Sequence, residues 1–401
     1  MMMKMARRVG YLVVAVISAA TVVAAGYTYL KVDDFRDNVT TTPALDEIPN
    51  SPPEDDGAED ILLVGSDSRT DAKGKPLSRE MLAKLRTTAS VGVNTDTLII
   101  VRFPHDGGPP RAVSLPRDSW VRVPTGGKAK INSAYGVAKA AEAARLHQRG
   151  GMSAEEIERA SDERGRRALI QTVQDFTKVH IDHYAEVSLL GFYLLTEALG
   201  GVEVCLNAAT SDADSGANFR AGRQTISGSE ALAYVRQRKN LPRGDLDRIV
   251  RQQTFLASAL HKVLSTDTLT DNRKLRRLVN AVERSVVLDP DLDILEFAQK
   301  AQSLSSRQVT FVTIPVENIN GRSPDGKQSI VVVDEKKVRA FVRDLIRPKG
   351  NPAGTSSGPS APGASSSQAP RGGGSSPGAA LGVLTAQEGE PISGGRAPCV
   401  N

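Results

Sequence analysis

The sequence predicts a layered α/β domain, held on one N-terminal membrane-spanning helix and trailed by a disordered C-terminal tail. Three observations point there. Short apolar runs alternate with amphipathic helical patterns between residues 58 and 347, as in mixed α/β layer structures. Residues 9–30 carry no charge. Beyond residue 347 the composition shifts to Gly, Ser, Pro and Ala, which bury too little apolar surface to offset their ordering entropy. With 401 residues, 40% of them hydrophobic, the chain has material for one large core or two modest ones.

Residues 1–8 form a basic leader with Lys4, Arg7 and Arg8. At ~1.5 Å rise per residue, the run 9–30 crosses a hydrocarbon core of roughly 30 Å. Tyr11, Tyr27 and Tyr29 stand near its ends, where interfacial aromatics collect. A cleaved signal has a shorter apolar core, ~7–15 residues, and a small-residue cleavage site. This run is longer and ends in Tyr-Thr-Tyr-Leu-Lys, which favours a retained anchor. The basic leader, and Asp33 and Asp34 beyond the run, put the N-terminus in the cytoplasm and everything after Lys31 outside. Residues 31–57, polar and proline-bearing, read as a stalk. The folded domain is 58–347, the flexible linker 348–380 and the short tail 381–401.

Within the domain, Ile61-Leu-Leu-Val64 is a buried-strand pattern ended by Gly65, with Asp67, Ser68 and Arg69 at its carboxyl end. Residues 71–92 are a polar excursion. Residues 97–103 and 111–115 are strands joined by a His-Asp-Gly-Gly-Pro-Pro turn. Arg117 and Asp118 follow, then strand 120–123. Residues 131–147 are helical, and 153–178 hold one or two helices. Strand 181–187 leads to Ser188, which caps helix 189–199, and Gly200-Gly201 ends it. Residues 202–206 are a strand. Ser227 or Ser229 caps helix 230–237, and 245–264 is a long amphipathic helix. Helices at 272–286, 292–304 and 334–346 and strands at 308–314 and 329–333 complete the domain.

The basic stretch 234–253, YVRQRKNLPRGDLDRIVRQQ, is the strongest functional signal in the residues themselves. Its cations bracket the loop Asn240-Leu-Pro-Arg-Gly244 between two helical patterns. Asp245 is placed to cap the second helix, and Arg248 falls in its first turn. A helix N-terminus plus several guanidiniums suits a phosphate or pyrophosphate. Asp67, Asp96, Arg117 and Asp118 lie at strand ends, where open α/β sheets place their ligands. Two carboxylates can hold Mg²⁺ or Mn²⁺ together with substrate phosphates. This assembly suits phosphoryl transfer, which is mostly positioning and charge neutralisation. Arg251 reads as a solvated neighbour. His180 and His183 read as structural, and Trp120 and Tyr135 as packing. The +5 net charge and 4% aromatic content come with no patch or motif that reads nucleic acid. Cys205 and Cys399 form no zinc pattern. An even count in an oxidising compartment favours pairing, whereas a strand position for Cys205 favours simple burial. Both readings stay open.

The chain resembles the LytR-CpsA-Psr enzymes of bacterial cell envelopes, and actinobacterial members among them. The matching segments run in family order: ILLVGSDSR (61–69), NTDTLIIV (94–101), VSLPRDSWVRVP (113–124), KINSAYG (130–136), IDHYAEVSLLGF (181–192), ALGGVEV (198–204), and GSEALAYVRQRK (228–239) with DLDRIVRQQ (245–253). The resemblance implies an αβα sandwich around a twisted mixed central sheet, outside the cytoplasmic membrane. It also implies transfer of a phosphate-linked glycopolymer, such as a teichoic acid, from a polyprenyl-pyrophosphate carrier to a peptidoglycan sugar hydroxyl, with Mg²⁺. By position, Asp67 and Asp96 match metal-associated carboxylates, and Arg117, Arg236, Arg238 and Arg248 match pyrophosphate ligands, with Gln252 and Asp245 close by. Asp96, Arg117 and Asp245 are the catalytic candidates. Asn94 departs from the family, which often has arginine there; Arg69 is the candidate substitute. A lipid slot would be lined by Val187, Leu190, Phe192, Leu195, Leu199 and Phe255, although a slot and an ordinary core share one periodicity. Two other readings stay open: hydrolysis of the lipid pyrophosphate, and lipid binding without catalysis in a regulatory protein.

Overall fold

The central strand runs from Ala58 to Ser66, and its alternation divides the domain into layers. Leu62 and Val64 point into one core beside Ile170 and Val173, whereas Leu63 packs on the opposite face with Ile99 and Leu256. The computed structural model describes residues 38–46, 48–54, 56–88, 92–263, 271–292, 309–345 and 398–401. The leader, the expected membrane span, the linker and the expected helix at 292–304, but for its first residue, lie outside these residues. Among the described residues no helix is long and apolar enough to cross a membrane.

The strands are β1 (Thr40–Thr41), β2 (Ala58–Ser66), β3 (Thr95–Pro104), β4 (Arg111–Ser114), β5 (Trp120–Arg122), β6 (Lys128–Lys130), β7 (His183–Ser188) and β8 (Val202–Leu206). They continue as β9 (Thr210–Asp212), β10 (Ala217–Phe219), β11 (Gly222–Ile226), β12 (Val286–Leu288), β13 (Thr310–Thr313), β14 (Asn318–Arg322), β15 (Ser329–Val332) and β16 (Cys399–Val400). The helices are α1 (Arg79–Lys84), α2 (Ser133–Arg149), α3 (Ala154–Thr177), α4 (Leu189–Ala198), α5 (Gly228–Arg236), α6 (Asp245–Val263), α7 (Asn272–Ser285) and α8 (Glu335–Leu345).

Seven strands make the central sheet, in the order β1-β12-β7-β2-β3-β4-β13. It is mixed: β2 runs parallel to β7 and antiparallel to β3. Helices α2, α3 and α8 cover one face, with Tyr135, Leu169, Phe176 and Val338 in that core. Helices α4 to α7 cover the other, around Phe192, Tyr234, Phe255 and Leu278. This is the αβα arrangement that the motif order implied. Local signals place the elements. Ser153 and Glu156 form a reciprocal capping box at the start of α3. The Ser188 side chain accepts from Gly191 N–H at the start of α4.

Three sequence readings change. The stretch read as stalk enters the fold: Thr40 and Thr41 pair with β12, Ala44 is fully buried, and Asp56 pairs with buried Arg102 at 2.7 Å. The tail is not wholly disordered, because Cys399 and Val400 add a parallel strand to β8 and Cys399 is disulfide-bonded to Cys205. The polar excursion at 71–92 contains α1, which buries Leu82, with Leu85 buried just beyond its end. Of the one or two helices expected in residues 153–178, one forms, Ala154–Thr177.

His180 and His183 both have structural partners. His180 Nδ1 lies 3.1 Å from the Pro52 carbonyl oxygen. His183 Nδ1 lies 3.2 Å from Asp289 Oδ1, and Nε2 lies 3.7 Å from Glu59. Burial lowers the His183 pKa, but the hydrogen bond and charge of Asp289, with Glu59, outweigh it, so the net shift is upward. A raised folded-state pKa adds stability that is fully present below the unfolded value of about 6.5 and is lost as pH rises through the folded value. The melting-temperature advantage of wild type over His183→Gln should therefore be largest in mild acid and shrink as pH rises through neutrality. An advantage that grows with pH would contradict this pairing.

Candidate active site

Helix α6 builds one wall of a cavity of about 700 Å³ between the sheet and helices α4 to α7. Arg248, Gln252, Phe255, Leu256, Ala259, Leu260 and Val263 all face it. Their three- and four-residue spacing is one helix face, and at ~1.5 Å per residue that face is roughly 22 Å long. The face changes character along its length. Arg248 and Gln252 stand at a charged mouth with Asp67, Asp96, Arg117 and Arg236, and from Phe255 onward the lining is apolar. One cavity thus offers cations at one end and a hydrocarbon environment at the other.

Pairs of opposite charge hold the mouth. Arg117 Nη1 lies 2.5 Å from Asp96 Oδ1, and its Nε lies 3.8 Å from both Asp118 and Asp245. Lys130 pairs with Asp118 at 2.9 Å. Arg248 Nη2 lies 3.0 Å from Asp245. Asp67 Oδ1 accepts from the Asn94 N–H at 2.7 Å, and Oδ2 lies 3.3 Å from Arg69. Asn94 therefore touches the site through its backbone, and Arg69 is the cation beside Asp67. Arg236 Nη1 donates to the Leu85 carbonyl at 3.1 Å. Arg238 is exposed at the rim, where its backbone N–H, not its side chain, is seen donating to Asp212. Gln252 Nε2 donates to the Val235 carbonyl.

The electrostatics of the mouth are incompletely balanced. Burial lowers the pKa of Arg248, against the attraction of Asp245 and with added repulsion from Arg117. Burial likewise lowers Arg236, opposed by Asp96 and Asp67 and reinforced by Arg69. Both stay charged, because arginine does not deprotonate in proteins. Among the described residues, the Nε atoms of Arg69, Arg117 and Arg248 and Oδ2 of Asp245 are buried without a hydrogen-bond partner. Buried donors of this kind are expensive to leave unmade. Arg117 and Arg248 line the cavity, so two of these arginines stand where a polyanion would meet them.

The structure brings together all the site residues read from sequence, with Arg238 at the edge. Asp245 does not cap α6 but is its first residue, following Gly244 at φ 56°, and its carboxylate turns onto Arg248 and Arg117. Arg251 is not solvated. It is 1% exposed, donates to Gln237 Oε1 at 2.6 Å and to the Asn401 backbone oxygen, and stacks over Tyr234. Of the six proposed slot residues, Leu190 packs in a separate cluster with Leu85 and Leu232, and the other five line the cavity. Leu63, Ile99, Leu256, Leu260, Val263 and Leu278 were not foreseen there. For α6 the signal was present: the slot residues continue the Arg248–Gln252 face at helical spacing.

Asp67 and Asp96 are the carboxylates at the mouth that could take a divalent cation. Among the described residues no cluster of three or more His, Cys, Asp or Glu could hold a metal ion. The donor set suits Mg²⁺ or Mn²⁺, which bind through one or two carboxylates and complete their shell with water and phosphate oxygens.

Comparisons with known proteins agree with this fold. The chain matches the LytR_cpsA_psr family over residues 22–346. It is 52% identical over 291 residues to the cell wall biosynthesis protein LcpA of Corynebacterium glutamicum, an overlap covering 73% of this chain and 56% of LcpA. It is 28% identical over 281 residues to the polyisoprenyl-teichoic acid–peptidoglycan teichoic acid transferase TagU of Oceanobacillus iheyensis, covering 70% of this chain and 72% of TagU. The chain thus spans little more than half the length of LcpA. Among solved structures, TagV of B. subtilis has a TM-score of 0.50 at 22% identity, covering 73% of this chain and 98% of TagV. The protein gbs0355 of Streptococcus agalactiae has a TM-score of 0.52 at 20% identity, covering 73% and 88%. These two likenesses are of fold alone. With a family match over most of its length and a relative of 52% identity, this chain belongs to the LytR-CpsA-Psr family.

Proposed function

We propose that the protein is a cell-envelope phosphotransferase, which moves a phosphate-linked glycopolymer from a polyprenyl-pyrophosphate carrier to a sugar hydroxyl of peptidoglycan. The observation that carries this reading is the two-ended cavity. A mouth lined by Arg117, Arg236 and Arg248 continues into an apolar bore along α6, which suits a ligand with a pyrophosphate head and a long hydrocarbon tail. The name of the Oceanobacillus relative states a polyisoprenyl-linked donor and a peptidoglycan acceptor. The cell wall role of the Corynebacterium relative points the same way. The Cys205–Cys399 disulfide suits a domain outside the cytoplasmic membrane, held there by the anchor expected at residues 9–30.

In this reading Arg117, Arg236 and Arg248 bind the pyrophosphate, with Arg69 and Arg238 at its edges and Gln252 beside it. Asp245 orients Arg248 and Arg117. The acceptor hydroxyl attacks the glycan-side phosphorus, its proton passes to the Asp96 carboxylate, the bridging P–O bond breaks, and lipid monophosphate leaves. The arginines neutralise the charge that builds on the phosphoryl oxygens. Mg²⁺ or Mn²⁺ held by Asp67 and Asp96 would add Lewis-acid stabilisation of that charge.

Turnover of a polyprenyl pyrophosphate, with and without added Mg²⁺, tests the site assignment. Wild-type turnover should depend on the metal, and Asp96→Ala should abolish it. The fold should survive, because Arg117 keeps Asp118 and Asp245 as partners. Normal turnover by Asp96→Ala would remove Asp96 from the mechanism.

A further inference from the structure

We propose that the outer face of α7 docks on an anionic lipid surface and seats the apolar end of the cavity against the bilayer. The helix reads NRKLRRLVNAVERS. Arg273, Arg276, Arg277 and Arg284 are exposed and Lys274 is partly so. Among the described residues the acidic groups facing this surface are few. Glu283 lies on the helix itself, and Asp271 caps it, accepting from the Arg273 and Lys274 N–H groups. Leu275 is 41% exposed, one of three exposed large hydrophobics among the described residues, and one turn before buried Leu278 it stands at the border between the cationic face and the buried face. A cation-rich helix face bordered by an exposed apolar residue is the pattern of an interfacial membrane helix.

The opposite face of α7 gives this surface a purpose. Leu278 is buried and lines the cavity, in one cluster with Leu199 and Val263. Val263 ends α6, so this is the far end from Arg248 and the charged mouth. Lys262, one residue before Val263, has its ammonium held by the Gly200 and Gly201 carbonyls, and the charge of Lys274 is close enough to help burial lower its pKa. The basic face and the apolar end of the cavity are therefore one locality. Two copies meeting through α7 would bring like charges together. A soluble polyanion would satisfy the cations but would have no use for exposed Leu275 or for the apolar lining behind it. An anionic bilayer satisfies both. The lipid-tail part of this inference rests on the proposed function; the docking part rests on charge and exposure alone.

The test uses the full chain reconstituted in vesicles. Both native cysteines are committed to the disulfide, so Leu275→Cys supplies a single reactive thiol for a spin label. In phosphatidylglycerol vesicles the label should be relaxed by lipid-soluble oxygen and shielded from a water-soluble relaxant. In phosphatidylcholine vesicles, or with Arg273→Glu, Arg276→Glu and Arg277→Glu combined, it should return to water. Equal water exposure in both vesicle types would overturn the proposal. So would label–label broadening that reports a second copy, or shielding that appears only with a soluble anionic polymer. No turnover is read, so this result and the phosphotransfer test fail independently.

Discussion

Arg248→Lys and Arg117→Lys each lower turnover at least about tenfold, or about 1.4 kcal/mol in the transition state. The two arginines reach the mouth from different elements, α6 and the turn after β4, and meet over Asp245. Each presents a forked guanidinium whose Nε is buried and lacks a hydrogen-bond partner. Lysine keeps the charge, and at position 248 it can still pair with Asp245, but it cannot bridge two phosphate oxygens. Unliganded melting temperatures should therefore change little. The upward shift produced by a polyprenyl phosphate should shrink in both variants, because ligand stabilisation follows affinity. Wild-type turnover with an unchanged ligand shift in both variants would reduce the mouth to a structural ion-pair cluster.

Cys399→Ser lowers the unfolding free energy by about 2–4 kcal/mol, the usual range for a native disulfide that closes a long loop. More than the cross-link is lost. The bridge holds β16 against β8, and Asn207 N–H donates to the Val400 carbonyl at 2.9 Å. The Asn401 backbone oxygen accepts from Arg251 Nε, and Arg251 in turn donates to Gln237. Gln237 lies between Arg236 and Arg238 and bonds Thr210 and Lys239. Loss of the strand would leave Arg251 buried with fewer partners and loosen the turn that carries Arg236 to the mouth. Turnover should fall along with melting temperature, and reductant should reproduce both effects in wild type. An unchanged melting temperature in Cys399→Ser would show that the cross-link contributes nothing to stability.

The strands and helices that build the site were legible because their signals are local. The short apolar run of β2, the Ser188 cap and the long face of α6 all come from neighbours in sequence. The charged residues were legible because guanidiniums and carboxylates gather at strand ends and a helix start. Arg248 and Arg251 show where local reasoning stops. They lie three residues apart in one basic run, yet Arg248 faces the cavity and Arg251 is buried against the C-terminal residue. Besides Gln237 and Tyr234, the return of residues 398–401 buries Arg251, and no periodicity encodes a contact across 150 positions. The two-residue strands β1 and β16 are too short to show alternation. Leu190 and Leu195, on the same helix, illustrate the last difficulty: one fills a core and the other lines an opening, and both satisfy the same apolar pattern.

The proposed reaction moves phosphorus with the glycan to an acceptor while lipid monophosphate departs. The most direct measurement supplies a polyprenyl-pyrophosphate-linked glycan and a peptidoglycan fragment to the full chain with Mg²⁺ and identifies the products by mass. Lipid monophosphate should appear in step with a new phosphodiester joining glycan to acceptor sugar, both absent in Arg248→Lys or much reduced. Lipid monophosphate accompanied by free glycan phosphate, at a rate indifferent to the acceptor, would contradict transfer and make the protein a hydrolase.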